Sequence, residues 1–166
     1  MNPGHTRSHE DEGPERGRHA WFPRAEYETR LSVLQEAMAE DGLDVVLLVD
    51  PLNVCYFSGL VTPSFGLRSR PAGLVVPVEG APTLVIAQPH VPQAEAVTWL
   101  ERFVGFVGFE EAFVAATVAF VRAMDVRTIG YEGSMEHRPA MTVDGYQALR
   151  AGVDGPRWVD VSALLW

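Results

Sequence analysis

A chain of 166 residues fits one domain at the usual ~100–200 residues per domain, and a hydrophobic share of 47% excludes a chain that is disordered throughout. A formal net charge of −9, from 13 Lys and Arg against 22 Asp and Glu, argues against non-specific nucleic-acid binding, which depends on cations neutralising phosphates. One cysteine excludes an internal disulfide, and no apolar run approaches the ~20 residues that span a bilayer, so a cytoplasmic protein without a membrane partner is expected.

Residues 1–20 mix Gly, Pro, His, Arg and acids with almost nothing to bury, and are expected to form a disordered leader. His5, His9 and His19 in that stretch read as solvated side chains, not metal ligands. Trp21 and Phe22 mark the entry into the fold. A first helix is predicted over residues 24–41, with Pro23 suited to its first turn. Tyr27, Leu31, Leu34 and Met38 form one apolar stripe, and Gly42 supplies the stop.

The stretch 44–87 organises the rest. Residues 44–49 are apolar inside without alternation, as in a strand buried on both faces. Asp50-Pro51 turns the chain off that strand, because Pro51 cannot donate to a ladder. Residues 53–57 read as a short helical turn ended by Gly59, a position that asks for positive φ. Cys55, beside aromatic residues, reads as a small buried hydrophobe. Pro63 and Pro71 bracket an irregular loop, and residues 72–78 and 83–87 form a hairpin around Glu79-Gly80-Ala81-Pro82.

Beyond Pro89 and Pro92, residues 93–100 are predicted helical and 103–109 a strand. A helix over 110–124 has two acids in its first turn, which favour a helix N-terminus, and Phe113, Val114, Val118, Phe120 and Val121 on its buried face. A strand at 128–132, a helix at 139–151 with Tyr146 and Leu149 inward, and a strand at 157–161 complete the order. Ser162 stands where a cap would begin another helix. Alternation of strand and helix in the second half implies parallel pairing there, and the hairpin makes the sheet mixed.

Several of these segments, in order, resemble the N-terminal domain of the creatinase, aminopeptidase P and prolidase superfamily, the pita-bread metallohydrolases. They are Arg30 on the first helix, Gly42-Leu43-Asp44-Val45-Val46-Leu47-Leu48, the Asn53, Tyr56 and Ser58-Gly59 stretch, the hairpin, Ile129-Gly130-Tyr131-Glu132 and Val159-Asp160-Val161-Ser162. Ser58-Gly59 followed by Phe65-Gly66 is most similar to creatinase, in which an Arg directly after Phe-Gly helps hold the substrate carboxylate. Here Leu67 intervenes before Arg68, so Xaa-Pro peptidase-like and ectoine-hydrolase-like parents stand beside a creatinase-like one.

The resemblance implies a ribonuclease-H-like α/β fold over residues 21–166: a mixed sheet of about six strands with helices on both faces. It implies a non-catalytic accessory and oligomerisation domain of a C–N hydrolase, forming a homo-oligomer, a dimer foremost, with a loop reaching a neighbouring subunit's substrate site. The superfamily's dinuclear metal centre (Mn, Co or Zn) uses two Asp, one His and two Glu in a following catalytic domain, which would act in cis or trans; no cofactor is expected in this chain. The alternative is a stand-alone binding or assembly module of the same fold. An independent small-molecule enzyme using Arg68, Arg70 and His90 is a third reading.

The residues themselves single out the loop between the two prolines. A guanidinium presents paired donors that match a carboxylate, so Arg68 and Arg70 are the candidate substrate contacts. Phe65 would wall the pocket, and His90 would face the same cleft. All the basic residues are Arg and are scattered, which reads as coding bias. Tyr56 and Gly59 read as fold determinants. Glu132, Glu136 and His137 form a metal-like trio, but they follow a strand with no partner cluster and read as structural. Ser134 is not in a Gly-x-Ser-x-Gly elbow, and there is no dinucleotide fingerprint or phosphate loop. A nuclease would need converging acids around two metals, whereas Asp44 and Asp50 only flank an apolar strand.

Overall fold

The structure is a computed structural model, and it describes residues 20–134 and 137–165. The leader expected over residues 1–20 lies, except for Ala20, outside the described residues, as do Glu136 and the three N-terminal histidines. The described residues form one six-stranded sheet and five α-helices. The strands are β1 (Val45–Leu48), β2 (Gly73–Pro77), β3 (Thr83–Ala87), β4 (Arg102–Phe106), β5 (Thr128–Tyr131) and β6 (Arg157–Asp160). Their order across the sheet is β4-β3-β2-β1-β5-β6. β1 pairs antiparallel with β2, and β2 with β3, whereas β3/β4, β1/β5 and β5/β6 are parallel.

Strand parity divides the core in two. Val46 and Leu48 of β1, Leu74 and Val76 of β2, and Leu84 and Ile86 of β3 point to one face. There they meet α1 (Arg24–Glu40), α2 (Pro51–Ser58) and α3 (Val91–Val97). Val45, Leu47, Val75, Val85 and Ala87 point to the other, against α4 (Glu110–Arg122) and α5 (Val143–Gly152). Both faces of β1, β2 and β3 are therefore covered, which is why these strands carry apolar residues without alternation. Each fully buried Val, Leu or Phe contributes roughly 1.5–3 kcal/mol relative to exposure.

The α1 stripe, Tyr27, Leu31, Leu34 and Met38, is buried as its spacing predicts. The helix closes with a reverse bond, Leu43 N–H to the Met38 carbonyl at 2.9 Å, around Gly42 at φ 65°. Asp44 accepts from the backbone N–H groups of Arg127 and Thr128 (2.8 and 2.9 Å) and thereby clips β5 to the start of β1. On α4 the inward position between Val114 and Val121 is Thr117, whose hydroxyl donates to the Phe113 carbonyl, while Val118 and Phe120 are only half-buried.

Four predicted boundaries move. Asp50-Pro51 does turn the chain, but Pro51 is the first residue of a full eight-residue helix, since an N1 proline loses no helical hydrogen bond. The Asp50 side chain caps that helix by accepting from Leu52 N–H at 2.8 Å. α3 starts at Val91 and ends at Val97; Thr98 turns extended, and Trp99 and Leu100 enter the core as connection. β4 stops at Phe106, leaving Val107 and Phe109 exposed before α4. α5 begins at Val143 because Thr142 caps it, accepting from Gly145 N–H at 3.0 Å. At the chain's end, Ser162–Leu164 is a single 3-10 turn.

Candidate functional site

The loop after α2 is compact. Residues Pro63–Gly66 form a 3-10 turn that Thr62 caps through Ser64 N–H, and Leu67 N–H returns to the Ser64 carbonyl at 2.8 Å. The buried Ser64 hydroxyl lies 3.1 Å from Nδ1 of His90, which ends the 3-10 turn Gln88–His90 after β3. One hydrogen bond thus ties the loop to the β3–α3 corner, and brings the segments of Phe65 and His90 together. Phe65 is half-buried and packs on the core beneath the loop, which holds the turn in place more than it walls a pocket. Arg68 and Arg70 are exposed. The Arg70 guanidinium stands 5.1 Å from the centre of the half-exposed Phe109 ring. The result is a cationic lip: Arg68 and Arg70 outward, His90 behind, Phe109 beside.

A second polar cluster is internal. The Glu132 carboxylate, at the carboxyl end of β5, accepts from Val49 N–H (2.6 Å), Asp50 N–H (2.8 Å) and the Asn53 side-chain amide (2.6 Å). Burial pushes its carboxyl up, and those three donors oppose the rise. His137 Nδ1 is 3.7 Å from Glu132, with the imidazole almost wholly buried. Asp50 accepts from Arg138 N–H, and Ala140 N–H reaches the Val49 carbonyl. Asp160 accepts from Gly133 N–H and from the Ser162 hydroxyl and N–H; the Ser162 hydroxyl holds its carboxyl below the usual range. These acids are spent on backbone amides. Of the metal-like trio, Glu136 lies outside the described residues, and no three metal-capable side chains come together among the described ones.

A third feature is an open apolar groove of about 760 Å³ between α1 and α2. Tyr27, Arg30 and Gly59 lie along it, with Trp21, Leu52 and Tyr56 among its walls. The Arg30 guanidinium lies 4.3 Å from the Tyr56 ring centre and 4.6 Å from that of Phe22, pairs with Glu26 at 3.1 Å and donates to the Tyr56 carbonyl at 2.9 Å. Gly59 sits at φ 78°, and a Cβ there would lie 2.7 Å from the Tyr27 hydroxyl oxygen. Gly59 is therefore a fold determinant, as its position predicts. Tyr56 is different: half its surface is exposed, on the outer side of α2. Cys55 is only half-buried and lines the same groove, short of the buried hydrophobe expected from its neighbours.

A family model for the creatinase/prolidase N-terminal domain matches residues 30–166. The chain belongs to the creatinase/prolidase N-terminal domain family. Solved structures agree with this at the level of fold. An Xaa-Pro aminopeptidase from Streptococcus pyogenes superposes with a TM-score of 0.66 at 18% identity, covering 86% of this chain and 96% of that one. The N-terminal domain of the cytoplasmic peptidase PepQ from Mycobacterium tuberculosis H37Rv gives 0.63 at 22% identity, covering 82% and 95%. An Xaa-Pro dipeptidase from Bacillus anthracis gives 0.66 at 16%, but the chain spans only 34% of that protein's length. No curated protein matches the chain in sequence. No helix among the described residues is long and apolar enough to cross a membrane.

Within this creatinase/prolidase N-terminal domain, the partners that shape the lip are residues the sequence does not announce. Ser64 and Phe109 are separated from His90 and Arg70 by 26 and 39 positions; the β2–β3 pairing sets the loop of Ser64 beside His90, and the β3–β4 pairing adds Phe109. Asn53 lies inside a recognised stretch, yet its contact with Glu132 crosses 79 positions. The one local signal available was on α2, where Leu52, Cys55 and Tyr56 are apolar at helical spacing on the side opposite Val54 and Phe57.

Proposed function

We propose that this chain is the accessory, assembly-forming domain of a C–N hydrolase of the Xaa-Pro peptidase or creatinase type, and that its 63–70 loop reaches the substrate site of a neighbouring subunit. The observation that supports the reading is the lip itself: two outward arginines just after a turn that the Ser64–His90 contact ties to the β3–α3 corner. A guanidinium so presented pairs with a substrate carboxylate when a second surface closes over it and excludes water. A dinuclear metal centre would belong to the hydrolase domain, since the acids described here are turned inward onto backbone amides. Water activation is then the partner domain's task, and this chain's own residues supply a positioning charge.

The test assembles the chain with such a hydrolase domain, in cis or in trans. Arg68→Ala and Arg70→Ala should raise KM for a carboxylate-bearing substrate about tenfold, the equivalent of ~1.4 kcal/mol, with kcat little changed. KM unchanged in both variants refutes the role of the loop. Turnover by the isolated chain in the presence of Mn²⁺, Co²⁺ or Zn²⁺ would refute the accessory assignment.

A further inference from the structure

The two edges of the sheet are finished differently. β6 has four residues with a charge at each end, Arg157 and Asp160, and the chain then turns back into the core at Val161 and Ser162. β4 has five residues, Arg-Phe-Val-Gly-Phe, with one charge, at its start, and no proline. It pairs with β3 on one side only, so alternate residues turn their backbone N–H and C=O groups away from the sheet. Arg102 and Gly105 are exposed, and Phe103 and Val104 are half-buried. Beyond Phe106 the apolar character continues in the open, with Val107 83% and Phe109 55% exposed. An edge of this kind is ordinarily blunted by charge, by proline or by a covering element. What stands at its end instead is Arg70, 5.1 Å from the centre of the Phe109 ring. Neither Arg68 nor Arg70 pairs with an acid among the described residues.

We infer that the edge of β4 takes an extended peptide, which runs parallel to β4 and ends in a free carboxylate at Arg70. Strand addition satisfies the outward N–H and C=O groups of β4 with main-chain hydrogen bonds. Charge decides the direction. The last residue of β4 leads to Phe109 and Arg70, so a parallel peptide brings its C-terminal carboxylate to the guanidinium, whereas an antiparallel one brings its ammonium. Parallel pairing also repeats what β3 already does with β4. At ~3.3 Å per residue, the five residues of β4 match a peptide of about five. Val107 and Phe109 offer apolar surface to its last side chain. The Phe109 ring holds Arg70 through the face of the guanidinium, which leaves the N–H donors at its edge free for the carboxylate. The inference rests on the loop reading above and names the ligand of the lip as the end of a peptide strand.

The test titrates the full chain into fluorescein-labelled Gly-Thr-Val-Thr-Val with a free carboxylate, and into the same peptide as its C-terminal amide. The acid should bind at least ~10-fold more tightly than the amide, and Arg70→Ala, at an exposed position, should remove that difference while keeping its fold by circular dichroism. Val143→Asp, on the exposed first residue of α5, should bind as the wild type does. Methylating the peptide's backbone nitrogens one at a time should weaken binding at every second position, and bound peptide should slow amide hydrogen exchange at alternate residues of β4. Equal binding of acid and amide, or no binding of either, overturns the inference. Binding that needs the carboxylate and Arg70 but shows neither alternation overturns the strand pairing and leaves the loop reading standing. Protection of β4 that rises with chain concentration in the absence of peptide also overturns it, since the edge is then covered by a second copy. The KM values of the arginine variants still decide the loop reading separately.

Discussion

Glu132 offers the sharpest test of how this domain is held together. Its side chain is fully buried and accepts three hydrogen bonds, two of them from the backbone where β1 passes into α2. Glu132→Ala would strand three donors, and an unsatisfied buried donor costs about 1–3 kcal/mol. Relief from burying a carboxylate returns part of that, so a net loss of ~3–5 kcal/mol is expected, a large share of the 5–15 kcal/mol typical of a domain. Glu132→Gln keeps the shape and can set its carbonyl oxygen on both backbone donors, but turns its NH₂ toward the Asn53 amide, and should lose ~1–3 kcal/mol. The pH dependence adds a signature. Because burial raises the carboxyl in the folded state, the native chain keeps a proton that the unfolded chain has released just above pH ~4.3. More protons bound to the native than to the unfolded state means that this group's contribution falls as pH rises through that window. Urea unfolding between about pH 4 and 7 should show this component in the wild type and not in Glu132→Gln. Glu132→Ala within 1 kcal/mol of wild type, or an identical pH slope in Glu132→Gln, would refute the account of the cluster as a structural clasp.

Two further perturbations follow from geometry. Gly59→Ala combines a left-handed backbone with a Cβ driven to 2.7 Å from the Tyr27 oxygen, so a loss of about 1–3 kcal/mol is expected in thermal unfolding; an unchanged midpoint would mean that the turn relaxes freely. Asp160, held below the ordinary aspartate range mainly by the Ser162 hydroxyl, contributes stability that is present above the unfolded pKa and is lost as pH falls through the folded one. NMR titration should place its carboxyl below ~3.9, and Ser162→Ala should move it back toward that value; no movement would refute the assigned cause.

Much of the fold was legible because its signals are local. The α1 stripe, the uninterrupted apolar strands and the positive-φ demand at Gly59 each follow from spacing and backbone sterics, and each is found where expected. Two of the misjudged boundaries share a physical cause. Proline signals a break, but whether it ends an element or opens one depends on a cap; Asp50 and Thr142 decide that at α2 and α5 through side-chain bonds of ordinary length. Trp99 and Leu100 carry helical spacing yet are pulled out of α3, since Trp99 stacks on Tyr27 and donates to the Phe57 carbonyl at 2.8 Å. The site was legible only in part. Arg68 and Arg70 could be picked out by their chemistry, whereas the contacts of Ser64 with His90 and of Phe109 with Arg70 depend on strand order.

The sheet's topology also accounts for where function can reside. In α/β sheets, ligands usually bind beyond the carboxyl ends of the parallel strands. Here β1, β5 and β6 are parallel neighbours whose carboxyl ends carry Asp50, Glu132 and Asp160. Each of those acids bonds backbone amides: Asp50 those of Leu52 and Arg138, Glu132 those of Val49 and Asp50, Asp160 those of Gly133 and Ser162. On the β1/β5/β6 side, these carboxylates hold the chain's own connections. The arginine lip stands at this same end of the sheet, beyond the carboxyl ends of the parallel pair β3/β4, where His90 and Phe109 follow those strands. Asp50 and Glu132 are thus turned inward onto backbone amides, whereas Arg68 and Arg70 of the neighbouring loop face outward.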